Sequence, residues 1–392
     1  MRHWILLLFF ACFLSFFSQA QESSSPDQAV ENPYQEALQA IADFQFEEAL
    51  KFLSVCYIRD QQNINYINQI AYCHSQQGRY PDAKLFYQSA LKIDSTNITA
   101  LSSLGNLFEL ERNYNKALPY YQTLIQIDST NSYYYKQAAY LYARTGDMFT
   151  GIRTFLKAHQ LNPRDIEVID QLSNIYLKTD NLEYAEAMIR KGLNTDPNNI
   201  KMLQNKARLH KKNSEHEGVV EAVTKTMMLG DTTDYYQMIV GVAYLRLDSL
   251  EQATFHLNEL VRREKDSEHT HHYLGVAYHK MDSLERSIEH FETAIEKGIS
   301  EKVDIYYADL ASIYEEQKDY KAAIKHYEKA YEYSASAEFL FFLARNCDLY
   351  YKDKKIAMRY YQKYWNSGNL KYRKYTEDRM ERLKEVIHFQ GG

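Results

Sequence analysis

The chain is short of the features that announce catalysis. It has thirteen glycines in 392 residues, and none of them builds a Gly-rich phosphate loop. There is no Gly-x-Ser-x-Gly elbow, no His-Glu-x-x-His and no Cys-x-x-Cys, so the commonest nucleophile, zinc and dithiol signatures are missing. No catalytic residue, cofactor or metal is expected on these grounds. Basic charge is not in excess either. Lys and Arg number 46 against 52 Asp and Glu, a net charge of −6, which leaves no basic footprint for nucleic acid. Cysteine is scarce, with four in all. Beyond residue 20 no apolar run is long enough to span a bilayer.

What is present is repetition. A small residue returns every 34 positions at Ala71, Gly105, Ala139, Ser173, Ala207, Gly241 and Gly275, and Ala311 and Ala344 continue the series with small slips. A second such register includes Ala49, Ala83, Ala117, Gly151, Ala185, Ala253 and Ser287. Four residues further on stands a larger apolar or aromatic side chain: Leu53, Tyr87, Tyr121, Phe155, Ile189, Leu257 and Phe291. Fixed self-similarity at this period means a solenoid. Solenoids build extended surfaces rather than one deep pocket, so the period points to binding.

Each unit holds two helical stripes. Leu101, Leu104, Gly105 and Phe108 fall at i, i+3, i+4 and i+7, one face of a helix. Tyr114, Ala117, Tyr121 and Leu124 form the next. Small residues sit where two helices cross closely, and large ones fill the space beside the crossing.

These residues resemble the tetratricopeptide repeat (TPR) family, whose pattern is a Leu-Gly pair, a Tyr three residues on, Ala-x-x-x-Phe and a closing Pro. Leu104-Gly105 with Phe108, and Leu274-Gly275 with Tyr278, match the first half. Gly151 with Phe155 and Ala158 matches the second, and Pro163 and Pro197 close two units. The resemblance runs over about ten units and implies an all-α, right-handed superhelical solenoid of helix-turn-helix repeats. The unit near 200–231 departs most, with Lys206, His210 and Thr226 at positions the pattern gives to Leu, Tyr and Ala.

The ends differ from the array. Arg2, the apolar run Ile5 to Phe17 and then Ser18-Gln19-Ala20 read as a secretory signal peptide. The expected organisation is a signal peptide over 1–20, a disordered leader over 21–32, repeats over 33–366 and a C-terminal capping helix and tail over 367–392. The charged helix expected from about Tyr372 to Phe389 suits a cap, because terminal repeats need a polar outer face. Cleavage would make the product periplasmic or secreted, with no integral membrane segment. Ile93-Asp94-Ser95-Thr96-Asn97 and Ile127-Asp128-Ser129-Thr130-Asn131 add a resemblance to exported bacterial TPR proteins.

Cys56, Cys73 and Cys347 fall on or next to core registers, where a thiol packs as a small hydrophobe. Cys56 ends the second helix of one unit and Cys73 lies in the first helix of the next. Those helices should touch, which leaves a bridge between them open, since spacing alone does not fix its geometry. Histidines cluster at His269, His271, His272 and His279, with His256 and His290 nearby. Imidazoles can bind metal, but no nearby cysteine or carboxylate has convincing ligand spacing, and an ordinary polar helix face is the expectation.

By the TPR resemblance, positions 2, 5, 9 and 12 of each first helix point into the concave groove. Mapped here, the groove residues are Tyr72, Asn106, Lys136, Tyr140, Asn174, Lys201, Gln204, Arg208 and Lys211, with Asp170 among them. These positions lie outside the core registers. Lys201 and Asn205 copy only the first element of the family's carboxylate clamp, so that clamp is not expected. Amide, phenol and cationic side chains suit an extended peptide, whose amides need hydrogen-bond partners and whose acidic groups need cations. The reading is an exported, non-enzymatic scaffold for a protein or peptide partner. A glycan-binding protein of an outer-membrane uptake system, stacking sugars on tyrosines such as Tyr72 and Tyr140, or the sensor module of a signalling system, are the alternatives.

Overall fold

The 34-residue period reappears as backbone geometry. The computed structural model of the protein describes residues 28–298, 301–369 and 371–390. Nine of its hairpin turns carry one left-handed residue each: Phe44, Gly78, Arg112, Gly146, Asp180, Ser214, Asp248 and Asp282, at equal spacing, and then Lys318. In most of them the next backbone N–H reaches back five residues to a carbonyl of the first helix, as from Asn113 to Phe108 and from Asp319 to Tyr314, both at 2.8 Å. That closes the helix C-terminus in a Schellman-type turn and satisfies carbonyls the helix leaves orphaned. Glycine at Gly78 and Gly146 carries no Cβ penalty in this conformation, whereas Arg112 and Lys318 do.

All described regular structure is helical. The first unit, up to Val168, contains α1 (Gln28–Ala42), α2 (Phe46–Arg59), α3 (Ile64–Gln76), α4 (Tyr80–Ile93), α5 (Ile98–Leu110), α6 (Tyr114–Ile127), α7 (Ser132–Thr145) and α8 (Met148–Leu161). Helix α9 (Ile166–Lys178) enters the second unit, which starts at Ile169. There follow α10 (Leu182–Thr195), α11 (Ile200–Lys212), α12 (His216–Met228), α13 (Asp234–Arg246), α14 (Leu250–Arg262), α15 (Glu268–Lys280), α16 (Leu284–Lys297), α17 (Val303–Glu316), α18 (Tyr320–Ser334), α19 (Ala337–Tyr350), α20 (Lys354–Asn366) and α21 (Arg373–Gln390). Within each unit, consecutive helices pack as hairpins and each hairpin packs on the next. This is the stacking of a TPR solenoid.

Four of the first helices start on asparagine. Asn63, Asn97, Asn131 and Asn199 each accept a backbone N–H two or three residues on, satisfying a donor that the first turn leaves free. The small registers are fully buried, as at Ala71, Ala117, Ala139 and Ala207. Glycine there is a matter of space. A Cβ on Gly105 would come within 2.7 Å of the Tyr121 ring, and one on Gly241 within 2.9 Å of Leu257.

The first helix begins at Gln28, five residues before the expected start of the array at 33. The expected signal peptide, and the leader as far as residue 27, lie outside the described residues. Helix α20 ends at Asn366, and α21 runs from Arg373 to Gln390, where a final helix is expected from about Tyr372 to Phe389. Leu383 of α21 is buried in a cluster with Phe341, Tyr361 and Tyr364. Cys56, Cys73 and Cys347 are free and buried. Burial pushes the Cys73 thiol up to about 11, so it packs as a hydrophobe and is no nucleophile. No helix among the described residues is long and apolar enough to cross a membrane.

Candidate functional site

In the first unit most of the proposed groove residues are already engaged. Lys136 projects from α7 onto Asp165 at 3.0 Å and Glu167 at 2.9 Å, and its side chain is only 14% exposed. Burial works against its charge, but the bonds to Glu167 and Asp165 outweigh it and raise its pKa. It therefore offers a partner no free cation. Asn106 accepts the hydroxyl of Tyr121 at 2.5 Å. Tyr140 meets Phe155 edge-on at 5.0 Å between ring centres. Tyr72 is partly exposed and meets Phe46 edge-on at 6.2 Å.

In the second unit the same positions of α9 and α11 build a polar network. Asn205 is buried and donates to Asp170 Oδ1 and Ser173 Oγ, both at 2.8 Å. Asn174 donates to Asp170 Oδ1 at 2.9 Å and accepts from Arg208 at 2.5 Å. Arg208 also donates to Asn205 Oδ1 at 3.1 Å. Asp170 is itself buried, and these bonds replace the water its carboxylate gives up. Gln204 donates to Asp231 at 2.9 Å. Arg208 and Asn174 are thus shared between surface and interior, although their positions lie outside the core registers.

Lys201 and Lys211 of α11 are exposed, and among the described residues neither is bonded to a carboxylate, although Lys211 donates to the Tyr235 hydroxyl at 3.5 Å. Lys211 Nζ lies 5.2 Å from the centre of the Tyr235 ring, a cation–π contact. Tyr235, on α13, is 46% exposed. Asn205, the second letter of the partial clamp, is turned inward. Tyr133, Tyr72 and Tyr235 keep exposed surface, whereas Tyr140 is half-buried.

The departures near residue 210 compensate one another. His210 stands where the pattern has Tyr, and a Cβ on Gly218 would lie 2.5 Å from its ring, so Gly218 makes room for it. His210 Nδ1 bonds Glu215 at 2.5 Å, and Lys206 pairs with Glu221 at 2.8 Å. Thr226 is buried with its hydroxyl on the Val223 carbonyl at 2.8 Å.

The histidine cluster is a set of partnered imidazoles. His269 meets the Tyr306 hydroxyl at 2.7 Å, while His272 meets Asp309 and His279 meets Glu316, both at 2.8 Å. Each of the three contacts joins α15 to α17. His271 meets Asp266 at 2.7 Å. Among the described residues no group of three or more His, Cys, Asp or Glu side chains is placed to hold a metal ion.

The tetratricopeptide repeat pattern matches residues 64–97, 100–132 and 266–336. No curated protein sequence matches the chain. Among solved structures it is similar to PilF of Pseudomonas aeruginosa, at 18% identity over 57% of this chain and 98% of that one, with a TM-score of 0.45. It is also similar to YrrB, a TPR protein described as having an unusual peptide-binding site, at 15% identity over 47% of this chain and 94% of that one, with a TM-score of 0.43. A tetratricopeptide repeat protein of Parabacteroides merdae aligns over 73% of this chain and 99% of its own, at 14% identity and a TM-score of 0.32.

Proposed function

The chain belongs to the tetratricopeptide repeat family, and from that premise we propose that it is an exported, non-enzymatic scaffold whose α11–α13 face receives an acidic protein or peptide segment. The observation that carries this reading is the pair Lys201 and Lys211. They are exposed on one helix, Lys211 beside the exposed Tyr235, and without carboxylate partners among the described residues. Like charges on one face raise the local potential and favour an anionic partner. A carboxylate reaching an ammonium gains a charge-assisted hydrogen bond, and an exposed tyrosine is a common anchor of interfaces. Arg208 adds charge at the edge of the same helix while tied to Asn174 and Asn205.

Reversing Lys201 and Lys211 to Glu tests the reading. Partner binding should be lost while the melting temperature is unchanged. Unchanged affinity would move the partner elsewhere. Arg208→Glu is the poorer probe, since it would also disturb the Asp170 network. The export half of the proposal rests on Ile5 to Phe17 followed by Ser18-Gln19-Ala20. N-terminal sequencing of protein from its native host should find a start at about Gln21. An intact Met1 on cytosolic protein would refute export.

A further inference from the structure

Inside the α15–α16 hairpin two imidazoles face each other. His271 Nδ1 and His290 Nδ1 are 2.9 Å apart. On its other side His271 Nε2 lies 2.7 Å from Asp266 Oδ2, and Lys297 holds the same carboxylate at 2.9 Å. The His271 side chain is 7% exposed. The His290 ring stacks on Tyr278 at 5.3 Å with the planes 3° from parallel. Asn258 of α14 donates to the Tyr278 hydroxyl at 3.0 Å.

This arrangement counts protons. A carboxylate only accepts, so Asp266 requires N–H on His271 Nε2. With both rings neutral, His271 Nδ1 is then the acceptor and His290 Nδ1–H the donor. One added proton is tolerated, because a single hydrogen still lies between the two nitrogens. A second is not. It would set two N–H donors head to head at hydrogen-bonding distance and place two positive charges side by side. We propose that the His271–His290 couple is a one-proton latch that holds α15 to α16 at neutral pH and releases this hairpin in acid.

The surrounding charges support the direction. Burial, then the neighbouring His271, lower the His290 pKa, while Glu289 opposes and Arg286 assists the lowering. On α17, the carboxylates Asp309 and Glu316 are taken up by His272 and His279. An unfolded histidine titrates near 6.5. A folded pKa below that means stability that is complete above about pH 6.5 and lost as pH falls through and below it. Each repeat contacts only its neighbours, so release can stay local.

The test is hydrogen exchange on the full chain between pH 7.5 and 5.5, corrected for intrinsic rates, a window that stays above ordinary carboxylate titration. In the wild type, protection in α15 and α16 should fall by up to about tenfold per pH unit below 6.5, one proton's worth. His290→Phe should abolish that dependence. An aromatic fits there, since Phe86 and Tyr120 stack at the equivalent positions of α4 and α6. The His272–Asp309 and His279–Glu316 pairs are common to both proteins and cancel in the comparison. Equal pH dependence in the two proteins, or none in the wild type, would overturn the latch. Should His290→Phe fail to fold, NMR titration of the wild-type imidazoles decides instead. The folded couple should take up one proton between pH 8 and 5.5, and uptake of two with protection intact would refute it.

Discussion

The Phe291 ring occupies the space that a side chain at Gly275 would need: a Cβ built on Gly275 would lie 2.9 Å from two ring carbons. Phe291 is a buried core ring of α16, and Ser287 Oγ of the same helix bonds the Gly275 carbonyl at 2.8 Å. The two helices therefore have no slack to separate. Gly275→Leu should overpack the crossing and destabilise by roughly 1–3 kcal/mol. Hydrogen exchange should show loosening around 234–330 while helices of the first unit stay protected. Uniform loss along the chain would contradict nearest-neighbour coupling.

The Asp170 network gives a second prediction. Asn205→Leu removes three bonds, the two it donates and the one it accepts from Arg208, and leaves the buried Ser173 hydroxyl and one Asp170 lone pair without their donor. The expected loss is about 1–3 kcal/mol, read by chemical denaturation. Asn205→Asp should be worse at neutral pH, because it sets a second carboxylate against Asp170, and the gap between the two variants should narrow in acid. If Asn205→Leu were neutral, the network would be ornamental to the fold.

The small and aromatic registers were readable from spacing because they answer to packing alone: Ala71, Tyr121 and Phe291 are buried where the period put them. Side-chain pairing across repeats was not readable. Lys136 looked like a free groove cation, yet its partners Asp165 and Glu167 sit some thirty residues on, at positions no local pattern marks. Arg208 looked solvated for the same reason. The fit of Gly218 under His210 is legible afterwards as paired departures from the repeat, a large ring matched by a missing side chain. The His271–His290 contact depends on rotamers that cross a hairpin, and the cluster's spacing along α15 gave no sign of it.

The capping helix supplies a third prediction. Arg379 of α21 reaches the buried Asp348 of α19 at 2.5 Å, and Lys354 lies 3.4 Å from the other oxygen. Arg379→Met keeps much of the packing stem and removes the charge-assisted bond. With Lys354 still present the cost should be about 1.5–3 kcal/mol. Exchange in α21 should rise first, with α19 and α20 following. Unchanged exchange in α21 would show that Leu383 and its apolar neighbours hold the cap by themselves.

The most direct test of the binding account is site-specific photo-crosslinking in the native host. A photoreactive side chain replaces Tyr235, and in a second protein it replaces Arg190 on α10 as a control. Adducts should form from position 235, be absent from position 190, and disappear when Lys201 and Lys211 are both reversed to Glu. Equal adducts from both positions, or adducts at 235 that survive the reversal, would contradict the assignment of the α11–α13 face as the place where an acidic partner binds.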